Sequence, residues 1–384
     1  MNEQYDVLVV GGGLVGAALA LALDKQGRRV ALVEGQGESL DSLQDGWDAR
    51  IYAISPANRA FLDGLGAWPD MSRIGTIASM DVRGDQGGQI AFSAADAGAE
   101  ALAWIAENRW VLAAIWQQLQ HASGVEVIRG QRPQALWQAA QHAGLVLEDG
   151  RKLQAQLIVG ADGANSWVRQ QSGIAANIKP YGHSGVVANF ACEKPHGDIA
   201  RQWFLGDGIL AWLPMPGKRI SMVWSTSQPG PLLALPAARL AEVVADAGGH
   251  ALGRLDVLTP AAAFPLRLIT PEQVIAERVA LVGDAAHTVH PLAGQGVNLG
   301  FQDAARLAAA LAGQADCGQW LALRRYERSR KEAVRTMQLT CDALFGLFHA
   351  KQTPGLAWLR NTGLNLTNRL PLLKRQLARH AVGF

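Results

Sequence analysis

Cysteine is scarce in this chain. Only Cys192, Cys317 and Cys341 occur among 384 residues, far apart and never as C-x-x-C. That argues against a disulfide framework and fits a reducing compartment. An excess of one charge is also missing. The formal net charge is +2, and no basic run marks a nucleic-acid surface. No stretch is long and apolar enough to span a membrane. The apolar run over residues 7–23 has the length of a secretion signal, but Gly11, Gly12, Gly13 and Gly16 inside it, and Asp6 before it, argue against one. Clustered metal ligands are lacking too. Asp284, His287 and His290 fall three apart, yet Pro291 breaks any helix there and no further carboxylate or cysteine is near, so no metal is expected. At this length the chain can bury a sizeable core and is expected to hold two domains.

Glycine, by contrast, is plentiful, and it clusters. Residues 5–10 read as a buried parallel strand, followed by Gly11-Gly12-Gly13-Leu14-Val15-Gly16 and an Ala/Leu helix to about Lys25. Gln26-Gly27 stops the helix, and residues 30–33 form the next strand, closed by Glu34. This is the dinucleotide fingerprint in its strand–turn–helix–strand context. Gly11 permits the tight turn, Gly13 lets backbone approach a pyrophosphate, Gly16 lets helix pack on strand, and Glu34 would accept from a ribose hydroxyl. The fingerprint alone does not separate FAD from NAD; the carboxylate disfavours NADP.

Two further strands end in comparable turns. Residues 157–160 lead into Ala161-Asp162-Gly163-Ala164-Asn165-Ser166, with Ser166 placed to cap the turn carrying Val168 and Arg169. Residues 279–300 read VALVGDAAHTVHPLAGQGVNLG. An apolar strand ends there in Gly283-Asp284. A loop punctuated by Pro291, Gly294 and Gly296 follows, and a helix begins near Asn298. Such a strand delivers a carboxylate to the carboxyl edge of a sheet, where open α/β sheets bind ligands, and the start of the following helix suits an anion.

The 279–300 run closely resembles the third signature of the flavin-dependent aromatic hydroxylases, and within them the ubiquinone-biosynthesis hydroxylases. The segment around Asp162 resembles their second signature, G-A-D-G-x-x-S-x-V-R. Asp48-Ala49-Arg50, Glu107-Asn108-Arg109 and Phe264-Pro265-Leu266 resemble further family segments. The resemblance implies an α/β fold: a Rossmann-type FAD-binding domain with an inserted, mostly antiparallel β-sheet substrate domain and a helical C-terminus. It implies FAD as cofactor, NAD(P)H or another reductant as electron donor, and O2 as cosubstrate. The reaction implied is hydroxylation of an electron-rich ring by a flavin hydroperoxide, on a polyprenylated phenol or benzoquinol. Carried onto this chain, it implies cofactor contacts at Gly11, Gly13, Leu14, Val15, Gly16, Glu34, Arg50, Arg109, Asp162, Gly163, Gly283, Asp284, Pro291, Gly294, Gln295, Gly296, Val297 and Asn298. Asp284 would hold the ribitol, the 294–298 turn would cup the ring, and the Arg50 guanidinium would fork onto the phosphates. The flavin carries the chemistry. His287 is the best candidate for moving a proton near the ring, against a plain structural histidine.

From residue 184 to 225 the pattern changes to short β-branched and aromatic strands with tight turns. Trp203, Phe204, Trp212, Trp224 and Leu292 are candidate substrate-pocket residues, with core packing as the bland alternative for the aromatics. The expected division is residues 1–75, 100–180 and 268–325 for the cofactor domain, 76–99 with 181–267 for the substrate sheet, and 326–384 for the helical C-terminus. The tail carries Arg360, Arg369, Lys374, Arg375 and Arg379 among leucines. That composition suits a membrane surface or an acidic partner, so a cytoplasmic protein peripheral to the inner membrane, or held in a biosynthetic complex, is expected; docking of the tail on its own domain competes. Nucleic acid is not an expected partner. A prenyl-chain reductase and a non-catalytic FAD-binding scaffold are the rival functions.

Overall fold

A computed structural model describes residues 3–36, 46–290 and 296–349, with 361, 362, 364–366 and 368. Its first sheet is built on Glu3–Val10, whose residues 7–9 are fully buried. Such a continuous apolar run suits a strand covered on both faces. Val30–Glu34 and then Val125–Arg129 lie on one side of it, and Lys152–Gly160 and then Val279–Leu281 on the other, all parallel. The chain therefore winds outward in both directions from its first strand. Val10 pairs with Val33 and with Gly160, and Gly160 with Leu281. That register brings Gly11, Glu34, Asp162 and Asp284 out along one carboxyl edge, at the point where strand order reverses. Ligands bind at such an edge in open α/β sheets.

Close approach explains two of the glycines. Gly11 has φ +106°, and a Cβ on it would lie 2.4 Å from the Ala161 carbonyl oxygen. A Cβ on Gly16 would lie 2.0 Å from the Gly11 oxygen. The helix Leu14–Asp24 can press onto the strand only because both are glycine.

The second sheet runs in the order Leu255–Val257, Ala176–Cys192, Arg219–Thr226, Gly208–Met215, Ile199–Leu205, Ser79–Arg83 and Gln89–Ser93, with Ala262–Pro271 also paired to Ala176–Cys192. Every pair is antiparallel except Ile199–Leu205 with Ser79–Arg83. Ala176–Cys192 begins earlier than its sequence pattern suggests. Its first half finds a partner in the distant Arg267–Pro271 segment, and the register shifts at a bulge between Pro180 and Ser184. Ile51–Ile54, Ala103–Glu107 and Gly75–Ile77 form a small third sheet of their own. Its strands are too short for a periodic signal.

The helix Trp320–His349 is largely polar but anchors itself at its buried residues. Tyr326 donates its hydroxyl to the Leu281 carbonyl at 2.7 Å, and Gln338 donates to the Ile269 carbonyl at 3.0 Å. Farther on, three asparagines spaced four and three apart lie on one helical face. Asn361 accepts from the Gln86 and Gly88 amides, Asn365 from Gln89, and Asn368 from Ala91. They satisfy the outer edge of the strand Gln89–Ser93, which ends the sheet and would otherwise present unpaired amides. The described part of the tail thus docks on its own domain; Arg360, Arg369, Lys374, Arg375 and Arg379 lie outside the described residues. Asn361→Ala leaves two amides without their acceptor and is expected to cost about 1–3 kcal/mol. Denaturant unfolding, with faster amide exchange at Gln86 and Gly88, checks this; unchanged exchange there would refute the edge clamp.

Candidate active site

A cavity of about 1080 Å³ joins the carboxyl edge of the first sheet to one face of the second. Gly11, Gly13, Leu14, Val15, Glu34, Arg50, Asp162, Gly163, Gly283, Asp284, Gly296, Val297 and Asn298 all line it. Gly16 sits behind, in the helix–strand contact. Pro291, Leu292, Gly294 and Gln295 lie outside the described residues.

Gly13 contrasts with its neighbours. Nothing lies within 4 Å of where its Cβ would be, so the protein's own packing does not require glycine there. Gly13 is also the N-cap of the helix Leu14–Asp24 and offers no side-chain cap. The first-turn amides of that helix are therefore open to an anion in the cavity. Asp162 accepts from the Val168 amide at 3.0 Å with one oxygen, and its other oxygen is buried without a partner among the described residues. Open space at a glycine, uncapped amides and a half-satisfied carboxylate at a cavity wall are together the donor and acceptor set that a dinucleotide needs. The residues fit FAD.

Glu34 is more occupied than its sequence position suggests. It accepts from the Gly12 amide at 2.6 Å and from Gln36 at 2.8 Å. A carboxylate still has room for a hydroxyl donor. Trp116 donates to the Gly12 carbonyl at 3.1 Å, so Gly12 is gripped from both sides, and a Cβ on it would meet Trp116 at 2.8 Å. Trp116 is missed by the sequence pattern. Its distance of about a hundred residues from the glycine turn leaves no local signal.

The Gly283-Asp284 turn rests on a buried charge cluster. Asp303 is 0% exposed. It accepts from the Gly283 amide at 2.9 Å and from Arg330 Nε at 2.5 Å, and His287 Nε2 lies 2.8 Å away, off the ideal hydrogen-bond line. Burial pushes the Asp303 carboxyl up, but His287 and Arg330 outweigh it and hold the pKa below the ordinary value. Asp284, one residue along, faces the cavity. A large share of its side chain is accessible, but that share opens on the cavity, and the enclosing protein raises its pKa, with Asp303 adding to the effect and His287 opposing it. His287 itself does not line the cavity. Its ring lies against Asp303, an arrangement that favours the structural histidine over the proton carrier of the two roles weighed for it.

Arg50 lines the cavity with its guanidinium 5.3 Å from the centre of the Phe264 ring. Its loop is held from behind. Buried Glu107 accepts from the Asp48 amide at 2.6 Å and from Arg73 Nε at 3.0 Å, and the Asn108 amide donates to the Arg50 carbonyl. Arg73 in turn sits 3.9 Å from the Trp47 ring centre. Arg109 is 3.2 Å from Glu107 and off the cavity. The E-N-R segment therefore supports the Arg50 loop through Glu107 and Asn108, and the expected direct contact from Arg109 is not made by the cavity wall.

The four candidate aromatics of the second sheet, Trp203, Phe204, Trp212 and Trp224, also face away. Side chains alternate across a strand. On Arg219–Thr226, Ser221 and Val223 line the cavity, while Ile220 and Met222 pack in a core behind the sheet, with Trp224 against it. Trp203 and Trp212 lie in the same core, ring centres 4.7 Å apart, and Phe204 packs with Val82, Ile90 and Ile209. None of the four lines the cavity. Gln202, Ala211, Leu213 and Val187 do so instead. Those small and aliphatic residues carry no signal that separates them from any strand interior.

Residues 4–340 match the family model described as FAD binding domain. The chain belongs to that family. Among curated members, it is 35% identical to 3-demethoxyubiquinol 3-hydroxylase of Escherichia coli, over 100% of this chain and 99% of that one. It is 37% identical to ubiquinone hydroxylase UbiL of Rhodospirillum rubrum, over 100% and 90%. Among solved structures, PqsL of Pseudomonas aeruginosa superimposes with a TM-score of 0.78 at 25% identity, over 94% of this chain and 99% of that one.

Two substitutions separate fold from cofactor in this FAD-binding chain. Gly16→Ala is expected to abolish soluble expression, whereas Gly13→Ala folds with an unchanged melting temperature as apoprotein and retains less than a tenth of the parent's FAD after gel filtration. Full FAD retention in Gly13→Ala would remove the turn from the cofactor site. Asp303→Asn leaves Arg330 buried without its counter-charge and is expected to cost about 3–5 kcal/mol at neutral pH. Because the folded pKa of Asp303 is depressed, its contribution is complete above the ordinary aspartate value of about 3.9 and fades as pH falls further. Parent and variant unfolding curves should converge in that acid range; a constant gap would contradict the charge argument.

Proposed function

We propose that the chain is an FAD-dependent monooxygenase that hydroxylates the aromatic ring of a polyprenylated phenol or benzoquinol in ubiquinone biosynthesis. The observation that carries this reading is the continuity of the cavity. One end is the glycine and carboxylate edge suited to a dinucleotide, and the other is a wall of Val187, Ala211, Leu213 and Val223 suited to an apolar ring and chain. Relatives matched over most or all of their length, including ubiquinone biosynthesis monooxygenase COQ6 of Danio rerio at 32% identity, over 98% of this chain and 89% of that one, support it.

Bound FAD, reduced by NAD(P)H or another donor, supplies the activation of O2. The chain's own residues bind and orient. The uncapped first turn after Gly13 would take the pyrophosphate, and Arg50, on the same cavity wall, would add a guanidinium contact to the phosphates. Glu34 and Asp162 take hydroxyls of the nucleotide, and Asp284 those of the ribitol. The first turn of the helix Gly296–Leu311, at Gly296, Val297 and Asn298, lines the same cavity and would offer its amides to the anionic part of the cofactor. The Asn298 side chain also ties that helix to the strand Ile51–Ile54, accepting from the Ser55 amide and donating to the Ala53 carbonyl. The aliphatic wall keeps water from the reacting ring. The working division is a cofactor domain on the first sheet and a substrate domain on the second.

Among the described residues, no helix is long and apolar enough to cross a membrane. Collection of the substrate from a membrane surface by peripheral contact is part of the proposal. The test is complementation of strains that each lack one ring hydroxylase, with quinone intermediates read by mass spectrometry. The expected result is restored ubiquinone in one strain and a product one oxygen heavier, abolished by Asp284→Ala. A purified protein that takes up no FAD would sink the reading, and a saturated prenyl chain without ring oxygen would replace it with a reductase.

A further inference from the structure

Among the aliphatic residues Val187, Leu213 and Val223 of the second sheet's cavity wall stands one buried hydroxyl, that of Ser221, with a second buried polar group, Asn189, directly beside it on the next strand. Ser221 and Asn189 are direct cross-strand partners, and both are 0% exposed. Ser221 lies on the cavity face, between the outward-packed Ile220 and Met222, with Leu213 as its neighbour on the other strand. Its hydroxyl has no hydrogen-bond partner among the described residues, and neither has the Asn189 side-chain oxygen. Two such groups buried together are costly, and each calls for an explanation.

The Asn189 amide cannot resolve this by turning over. Its Nδ2 donates to the Asp48 carbonyl at 2.7 Å, which fixes the nitrogen on that side and leaves the oxygen as an acceptor. Directly opposed side chains in an antiparallel pair have Cβ atoms roughly 5 Å apart. The chain therefore holds one rotatable hydroxyl on the cavity wall, at Ser221, and one fixed acceptor directly across the strand pair from it, at Asn189. A group that both donates and accepts would satisfy both at once. A phenolic hydroxyl is such a group, and an ether oxygen or a prenyl chain is not.

We propose that Ser221 and Asn189 form the subsite that takes a ring hydroxyl of the substrate and so sets which edge of the ring is presented to the cofactor. This rests on the hydroxylase reading above. Asn189 links the subsite to the cofactor side as well, since the carbonyl it holds belongs to Asp48, two residues before Arg50. Ser221 is a binding and positioning residue, with no proton transfer assigned to it.

The test uses the FAD-loaded full chain and Ser221→Ala. 2-Methoxyphenol and 1,2-dimethoxybenzene, of which only the first carries a hydroxyl, are titrated and followed by the change in flavin absorption. The parent should bind the phenol about tenfold more tightly than the ether, the scale of one hydrogen bond in a buried site. Ser221→Ala should lose that preference, weakening the phenol about tenfold and leaving the ether unchanged. Without ligand its melting temperature should be equal or higher, because an unsatisfied hydroxyl has been removed. A variant that keeps the preference, with or without a lower melting temperature, overturns the subsite and leaves the pair as the seat of a structural water. If neither ring perturbs the flavin of the parent, the hydroxylase reading falls and the subsite with it.

Discussion

One buried carboxylate holds the cofactor side of this molecule together. Asp303 sits on the helix Gly296–Leu311, yet it accepts from the backbone at the end of a strand and from an arginine on the helix Trp320–His349, with a histidine of the following turn against it. Charges are expensive to bury alone. Here the cost is offset because two donors and a neighbouring imidazole converge on one group, and their convergence ties four chain segments at a single point. The Gly283-Asp284 turn cannot move without breaking it. Gly283 also has φ +61°, so the turn needs glycine as well as an acceptor for its amide.

Much of the fold was legible in the sequence for a plain reason. Strands such as 7–10 and 157–160 are apolar throughout, and each leads into a glycine-rich turn with a carboxylate close by. That pattern has few structural solutions, and parallel register then brings the separate turns to one edge. The cavity-lining glycines, such as Gly11, Gly13, Gly163 and Gly283, are legible because the backbone itself forms the cavity wall there, and backbone requirements leave glycines behind in a sequence.

Where the ligand wall is made of side chains, legibility ended. The period of a strand is visible, but which of its two faces meets the ligand depends on what packs behind. Trp203, Trp212 and Trp224 stand out by size and belong to the core side. Val187, Ala211 and Leu213 are ordinary residues on the side that matters. His287 and Arg109 lie off the cavity wall for a related reason. Each has a carboxylate partner, Asp303 or Glu107, that proximity in sequence alone does not assign to it. In the segment Glu107-Asn108-Arg109 the members that hold the Arg50 loop are the Glu107 carboxylate and the Asn108 amide.

The second sheet gives each strand two masters. Alternate residues of Arg219–Thr226 answer to the core on one side and to the cavity on the other, and no residue answers to both. The two sets can therefore drift independently. Changes at Ser221 or Val223 can retune which ring is accepted while Ile220 and Met222 keep the sheet folded. A scaffold with that separation can acquire a new substrate by single steps, none of which has to pass through a less stable protein.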